Sequence, residues 1–109
     1  MASFRASAAI VDVHAGVDPV AVLDAARTAV GAGWHVEDSF VDVEPLARAG
    51  GAPRVTVRFV VPTGNDAEED ADAWRAGRAL ATGIGRVADW TDLQVLRRTK
   101  GRWVRLDGP

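Results

Sequence analysis

The chain has no cysteine and no tyrosine. Without cysteine there can be no disulfide, no thiolate zinc site, no iron–sulfur cluster and no cysteine nucleophile. No stretch approaches the ~20 consecutive apolar residues of a membrane-spanning helix. The opening MASFRASAAIVDVHAG carries a short apolar run that Asp12 interrupts, which is not the layout of a secretory leader. A soluble cytoplasmic protein is expected. Histidine is scarce: His14 and His35 are the two present. His35 and Glu37 share one strand face, and Asp12 and His14 share another. Neither pair has an obvious third ligand, and transition metals usually take three or four. No metal and no other cofactor is expected. Ser3, Ser7 and Ser39 are the serines, and none sits in a GxSxG turn. There is no P-loop and no GxGxxG; GIG at 83–85 lacks a strand before it. No catalytic constellation is legible.

What is present suits one ordinary domain. The 109 residues are 48% hydrophobic and 26% charged, a globular composition. A chain of this length buries enough surface to fold without a metal or disulfide. The net charge of -2 is too small to imply a nucleic-acid or membrane partner. It is unevenly spread. Residues 1–53 hold three arginines and seven acids, and residues 54–109 hold ten bases and eight acids, giving -4 and +2.

The hydrophobic pattern predicts a βαββαβ order. Residues 4–14 read as a strand, apolar on both parities from Ala8 to Val11, and so covered at least in part on both faces. Asp18 caps a helix over 19–30, with Pro19 at its first position and Val22, Leu23, Ala26, Ala29 and Val30 as its apolar stripe. Gly31 and Gly33 are expected to supply a left-handed exit. Residues 34–44 alternate, with a parity change that predicts a bulge near Phe40. EPLARAGGAP, 44–53, reads as a long mobile connection. RVTVRFVV, 54–61, sends Val55, Val57, Phe59 and Val61 inward and Arg54, Thr56 and Arg58 outward. A second helix carries Trp74, Gly77, Ala81, Ile84 and Ala88 inward and ends between 83 and 88. Its glycines at 77, 83 and 85 imply close packing or fraying. Residues 93–98 form a strand, and 102–106 return as a short extra one. The fold class is therefore α+β: a ferredoxin-like sandwich in one domain, residues 1–109. Its four-stranded antiparallel sheet carries both helices on one face.

The acidic run GNDAEEDADAW, 64–74, falls on the first turns of the second helix. Asn65 or Asp66 caps it, and Glu68, Glu69 and Asp70 lie where the helix dipole favours negative charge. The calcium-loop register of alternating ligands, a central glycine and a final bidentate glutamate is absent. A docking surface for a basic partner is the other reading.

RRTKGRWVR, 97–105, supplies the candidate nucleic-acid residues Arg97, Arg98, Lys100, Arg102 and Arg105, interleaved with Trp103. Ferredoxin-like sheets that bind RNA carry aromatics on their two central strands. The outward face of 54–61 has none. The plain alternative is a solvated edge hairpin whose charges discourage edge pairing.

HAGVDPVAVLDAA resembles the ACT-domain pattern, with a loop containing glycine and proline leading from strand to helix. The resemblance covers Val13 to Ala26 and the strand order; GAGWHV matches the family's second-strand region in part. It implies amino-acid binding at a dimer interface, with Asp12, His14, Gly16 and Asp18 on the ligand side. A two-layer fold leaves one sheet face open, and an open apolar face tends to find a partner. The expectation is a non-enzymatic binding or regulatory module, a homodimer through the sheet face or edge, whose ligand the sequence leaves open, a small molecule among the candidates. The alternatives are a small enzyme of the dimeric α/β-barrel type, using His14, Asp12 and Arg58 on the open face, and nucleic-acid binding through the C-terminal hairpin.

Overall fold

Alternating hydrophobicity builds five strands, and two apolar stripes at helical spacing build the layer above them. The computed structural model describes residues 1–43 and 52–108. Its elements are β1 (Ala2–Val13), α1 (Val20–Gly31), β2 (His35–Val43), β3 (Pro53–Val61), α2 (Asp66–Gly85), β4 (Ala88–Thr99) and β5 (Arg102–Arg105). The sheet order is β2-β3-β1-β4-β5, antiparallel at every junction. This is the ferredoxin-like α+β fold with one added edge strand.

The core lies between the sheet and the helices. Phe4, Ala6, Ala8 and Ile10 of β1 and Val55, Val57, Phe59 and Val61 of β3 are buried there. Val22, Ala26 and Val30 of α1 and Ala73, Ala76, Leu80 and Ile84 of α2 close it from above. Phe4 and Phe59 stack with ring centroids 6.1 Å apart, and Trp34 meets Phe59 edge-on at 6.4 Å. Phe4 and Phe59 are fully buried, and each contributes ~1.5–3 kcal/mol through area alone.

The helix glycines are set by close approach. A Cβ on Gly83 would fall 2.5 Å from Ala29 Cβ of α1 and 3.0 Å from the Ala25 carbonyl oxygen. A Cβ on Gly77 would fall 2.7 Å from Val95 Cγ2 of β4. Side-chain volume is given up at both points so that α2 can pack tightly on α1 and on the sheet.

The helix entries follow the sequence. Asp18 Oδ1 accepts the Val20 N–H at 3.0 Å, while the helix itself starts one residue after Pro19. Asn65 Oδ1 accepts the Glu68 N–H at 2.9 Å, and Glu68 Oε1 accepts the Asn65 N–H at 3.2 Å. This reciprocal capping box satisfies two orphan donors of α2. Between β4 and β5, Lys100 and Gly101 both take positive φ, 50° and 78°, the requirement of a tight two-residue hairpin.

Four expectations are corrected. Gly31 is the last residue of α1, and neither it nor Gly33 is left-handed; Ala32 closes the helix in right-handed geometry, its N–H donating to the Thr28 carbonyl while the Gly33 and Trp34 N–H groups donate to that of Val30. The β2 bulge lies between Val36 and Asp38, upstream of Phe40. β4 begins at Ala88 rather than at 93, because its pairing with β1 continues past a bulged stretch in which Asp92 takes φ 54°. Val11 is 63% exposed, so the two-sided burial of β1 stops at Ile10. The connection expected at 44–53 lies, but for its last two residues, outside the described residues.

Candidate functional site on the open sheet face

The sheet face away from the helices is built by alternation. β1 sends Ser3, Arg5 and Ser7 to it, because Phe4, Ala6 and Ala8 take the core. β3 sends Arg54, Thr56 and Arg58. The bulge in β2 reverses the parity after Val36, so Asp38, Phe40 and Asp42 pair in register with Arg58, Thr56 and Arg54 and share their face. β4 and β5 add Arg98, Trp103 and Arg105, with Arg98 opposite Trp103 and Leu96 opposite Arg105.

Arg5 is the centre of this face. It lies midway along the order of five strands and pairs in register with Arg58. Its guanidinium carbon is 4.2 Å from the Trp103 ring centroid and 5.2 Å from that of Phe40. The two rings reach it from opposite borders, β5 and β2. Arg58 and Arg98 each stand 5.4 Å from the same Trp103 ring. Cation–π attraction of this kind strengthens as the pair is desolvated. The Arg5 Nε is buried and has no hydrogen-bond partner among the described residues. Burial lowers the Arg5 pKa first, then the Arg58 charge; Asp42 and Asp38 oppose them, and Arg98 adds to the lowering.

The other cations of the face have local partners. Arg58 Nε donates to Ser3 Oγ at 3.1 Å and to Glu37 Oε1 at 3.2 Å. Arg54 donates to Ser7 Oγ at 3.0 Å, to the Asp92 carbonyl at 3.0 Å, and to the Asp92 carboxylate. The left-handed backbone at Asp92 aims both of those oxygens at one guanidinium. Arg105 comes within 3.7 Å of Asp92 Oδ1. Arg5 and Arg98 have no ion pair among the described residues, and neither do Asp38 and Asp42.

The basic hairpin residues do not act as one patch. Arg97 turns to the helix side, where its guanidinium binds Glu69 at 3.0 Å and Asp70 at 2.7 Å and lies 4.8 Å from the Phe4 ring. Burial pulls the Arg97 pKa down, but the Asp70 and Glu69 carboxylates outweigh it and raise it overall. Glu69, 8% exposed, also accepts the Gly64 N–H at 3.1 Å. That bond and then Arg97 hold its carboxyl below the ordinary value. Lys100 is at the turn, and Arg102 pairs with Thr99 at the hairpin end. Only Arg98 and Arg105 of the five join the open face.

The loop residues sit elsewhere. His14 Nε2 is 3.2 Å from Asp89 Oδ1. Gly16, at φ 80°, makes the turn into α1, and Asp18 caps that helix. Asp12 is exposed opposite Asp89. Asp12 and Arg5 are seven residues apart on one strand, roughly 23 Å, so Arg58 is not gathered with Asp12 and His14. Among the described residues, no three His, Asp or Glu side chains stand together as a metal site.

Sequence reasoning missed Arg5, Phe40 and Trp103 as a group. The signal for Arg5 was its alternation with Phe4 and Ala6. No local signal places Phe40, whose side depends on where the bulge falls.

No protein-family model matches this chain, and no curated protein matches it. Among solved structures, a dimeric ferredoxin-like protein of unknown function from Thermobifida fusca is similar in outline, at 16% identity over 88% of this chain and 89% of that one, with a TM-score of 0.39.

Proposed function

We propose that this chain is a non-enzymatic binding module that works as a homodimer, open sheet face against open sheet face. One observation carries the reading: the two borders of that face carry charges of opposite sign. Asp38 and Asp42 lie on β2, Arg98 and the loosely held Arg105 on β4 and β5. The borders are four strand steps apart, roughly 19 Å. A two-fold axis parallel to the central strand lays β2 of one copy over β5 of the other, twice. The strand registers set Asp38 and Arg105 at the same level as Arg5, so Asp38 of each copy then meets Arg105 of the other, the self-complementarity that a C2 interface requires. Any other rotation in the plane of the face sets acid over acid or leaves the borders apart.

A charge-swap pair tests this by analytical ultracentrifugation. Asp38→Arg with Asp42→Arg makes both borders basic, and Arg98→Glu with Arg105→Glu makes both acidic. All four positions are exposed, so folding should persist and far-UV circular dichroism checks it. Each variant alone should dimerise at least tenfold more weakly than wild type, and an equimolar mixture should recover dimer. A wild type that stays monomeric at millimolar concentration refutes the proposal. So do variants that dimerise like wild type.

A further inference from the structure

We propose that a small oxyanion, phosphate or carboxylate, binds at Arg5 between the two copies and links them. The inference rests on the dimer reading above and names the ligand class of that same face. Three guanidinium groups, those of Arg5, Arg58 and Arg98, surround one indole. Glu37 answers Arg58. No carboxylate among the described residues pairs with Arg5 or Arg98, and the buried Arg5 Nε lacks an acceptor. A positive centre of this kind on a folded chain is short of a negative group.

The two-fold axis sharpens the shortage. β1 is the third of five strands, so an axis along it sets β1 over β1 and brings the two Arg5 clusters together. The acids Asp38 and Asp42 stand two strands away on β2; they favour the charged Arg5 from there but form no ion pair with it. Two like-charged clusters in a closing interface need an anion between them. Burial and the Arg58 charge already disfavour the protonated state of Arg5 in the single chain, and an oxyanion reverses that pressure.

The rings select the chemistry. Phe40 and Trp103 flank the Arg5 guanidinium from opposite borders, so its donors are offered along its edge. Edge-on donation by a planar fork matches the paired oxygens of a carboxylate or phosphate.

The test uses the full chain and three probes at matched ionic strength: inorganic phosphate, succinate and chloride. Thermal melting, sedimentation and titration calorimetry are read together. Phosphate or succinate, but not chloride, should raise the melting temperature and tighten the dimer, at one anion per two chains. Whichever of the two acts names the source of the oxyanion. Arg5→Gln should weaken the anion at least tenfold while the charge-swap mixture still assembles on that background. Arg5→Lys, which keeps the charge and loses the fork, should fall between, and it serves if the glutamine variant does not fold. A dimer indifferent to both oxyanions overturns the inference and leaves the dimer reading standing. An equal response in Arg5→Gln, an equal response to chloride, or one anion per chain without effect on assembly also overturns it. Tighter binding of single-stranded RNA than of phosphate would overturn it in favour of a nucleic-acid face. A chain that never dimerises removes both readings.

Discussion

Replacing Gly83 by alanine sets two effects against each other, and the geometry decides between them. Helix propensity alone favours alanine by ~1 kcal/mol. Against that, the new methyl would sit 2.5 Å from Ala29 Cβ and 3.0 Å from the Ala25 carbonyl oxygen. Neither neighbour is the end of a flexible chain. One is fixed to the α1 backbone and the other belongs to it, so α1 and α2 must separate. Overpacking of this kind costs ~1–3 kcal/mol, and backbone opposition places it near the upper figure. The net is about 2 kcal/mol of destabilisation, or about 8 °C at ~4 °C per kcal/mol for a domain of this size. Gly85, two residues on, provides the contrast. Its added Cβ would meet Trp90 Nε1 at 3.6 Å, an ordinary contact. Gly85→Ala should therefore be neutral or stabilising by up to ~0.5 kcal/mol, the propensity gain being discounted at a helix end. Differential scanning calorimetry of the two variants side by side reads both signs. A Gly83→Ala protein that melts at or above wild type would refute the close-approach account of the α1–α2 contact.

Two further predictions concern α2. Asn65→Ala removes the acceptor of the Glu68 N–H and should cost about 1 kcal/mol in urea unfolding, while Asn65→Asp should retain most of the wild-type stability; equal losses in both would show that the cap does not hold the helix start. Glu69, held below its ordinary 4.5 by the Gly64 N–H and then by Arg97, stabilises the fold fully above about pH 4.5, and that contribution is lost as pH falls through the lower folded-state value. Glu69→Gln should therefore be less stable than wild type at neutral pH, and the gap should narrow as acid is added; a gap that stays constant with pH would show that the charge on Glu69 contributes nothing.

The fold was legible because most of it rests on local pattern. Val55 to Val61 alternate cleanly, Asp18 and Asn65 cap where they stand, and the second helix ends inside the expected window. The candidate site was less legible, and two residues show why. Arg97 and Arg98 are neighbours in a basic run, yet strand alternation sends one to Glu69 and Asp70 and the other to Trp103. Applying the two-residue period to that run would have split it. Phe40 is harder. Its side is fixed by a bulge three residues upstream, and a bulge is one inserted residue that any of several positions could carry. Phe40, Arg5 and Trp103 come from β2, β1 and β5, so their meeting depends on sheet order rather than on any window of sequence.

The place of β1 in the middle of the sheet has a consequence for how the chain reaches its native state. Phe4 pairs with Arg97, 93 positions later. The first strand synthesised cannot complete its hydrogen bonds until nearly the last one has emerged. α1, β2 and β3 can assemble before then, but with one side of β1 unpaired and Phe4, Ala6 and Ala8 incompletely covered. Such long-range closure is slow, because its entropy is lost before its contacts form. The interval in which an apolar strand waits for its partner is when this chain is most open to aggregation during synthesis.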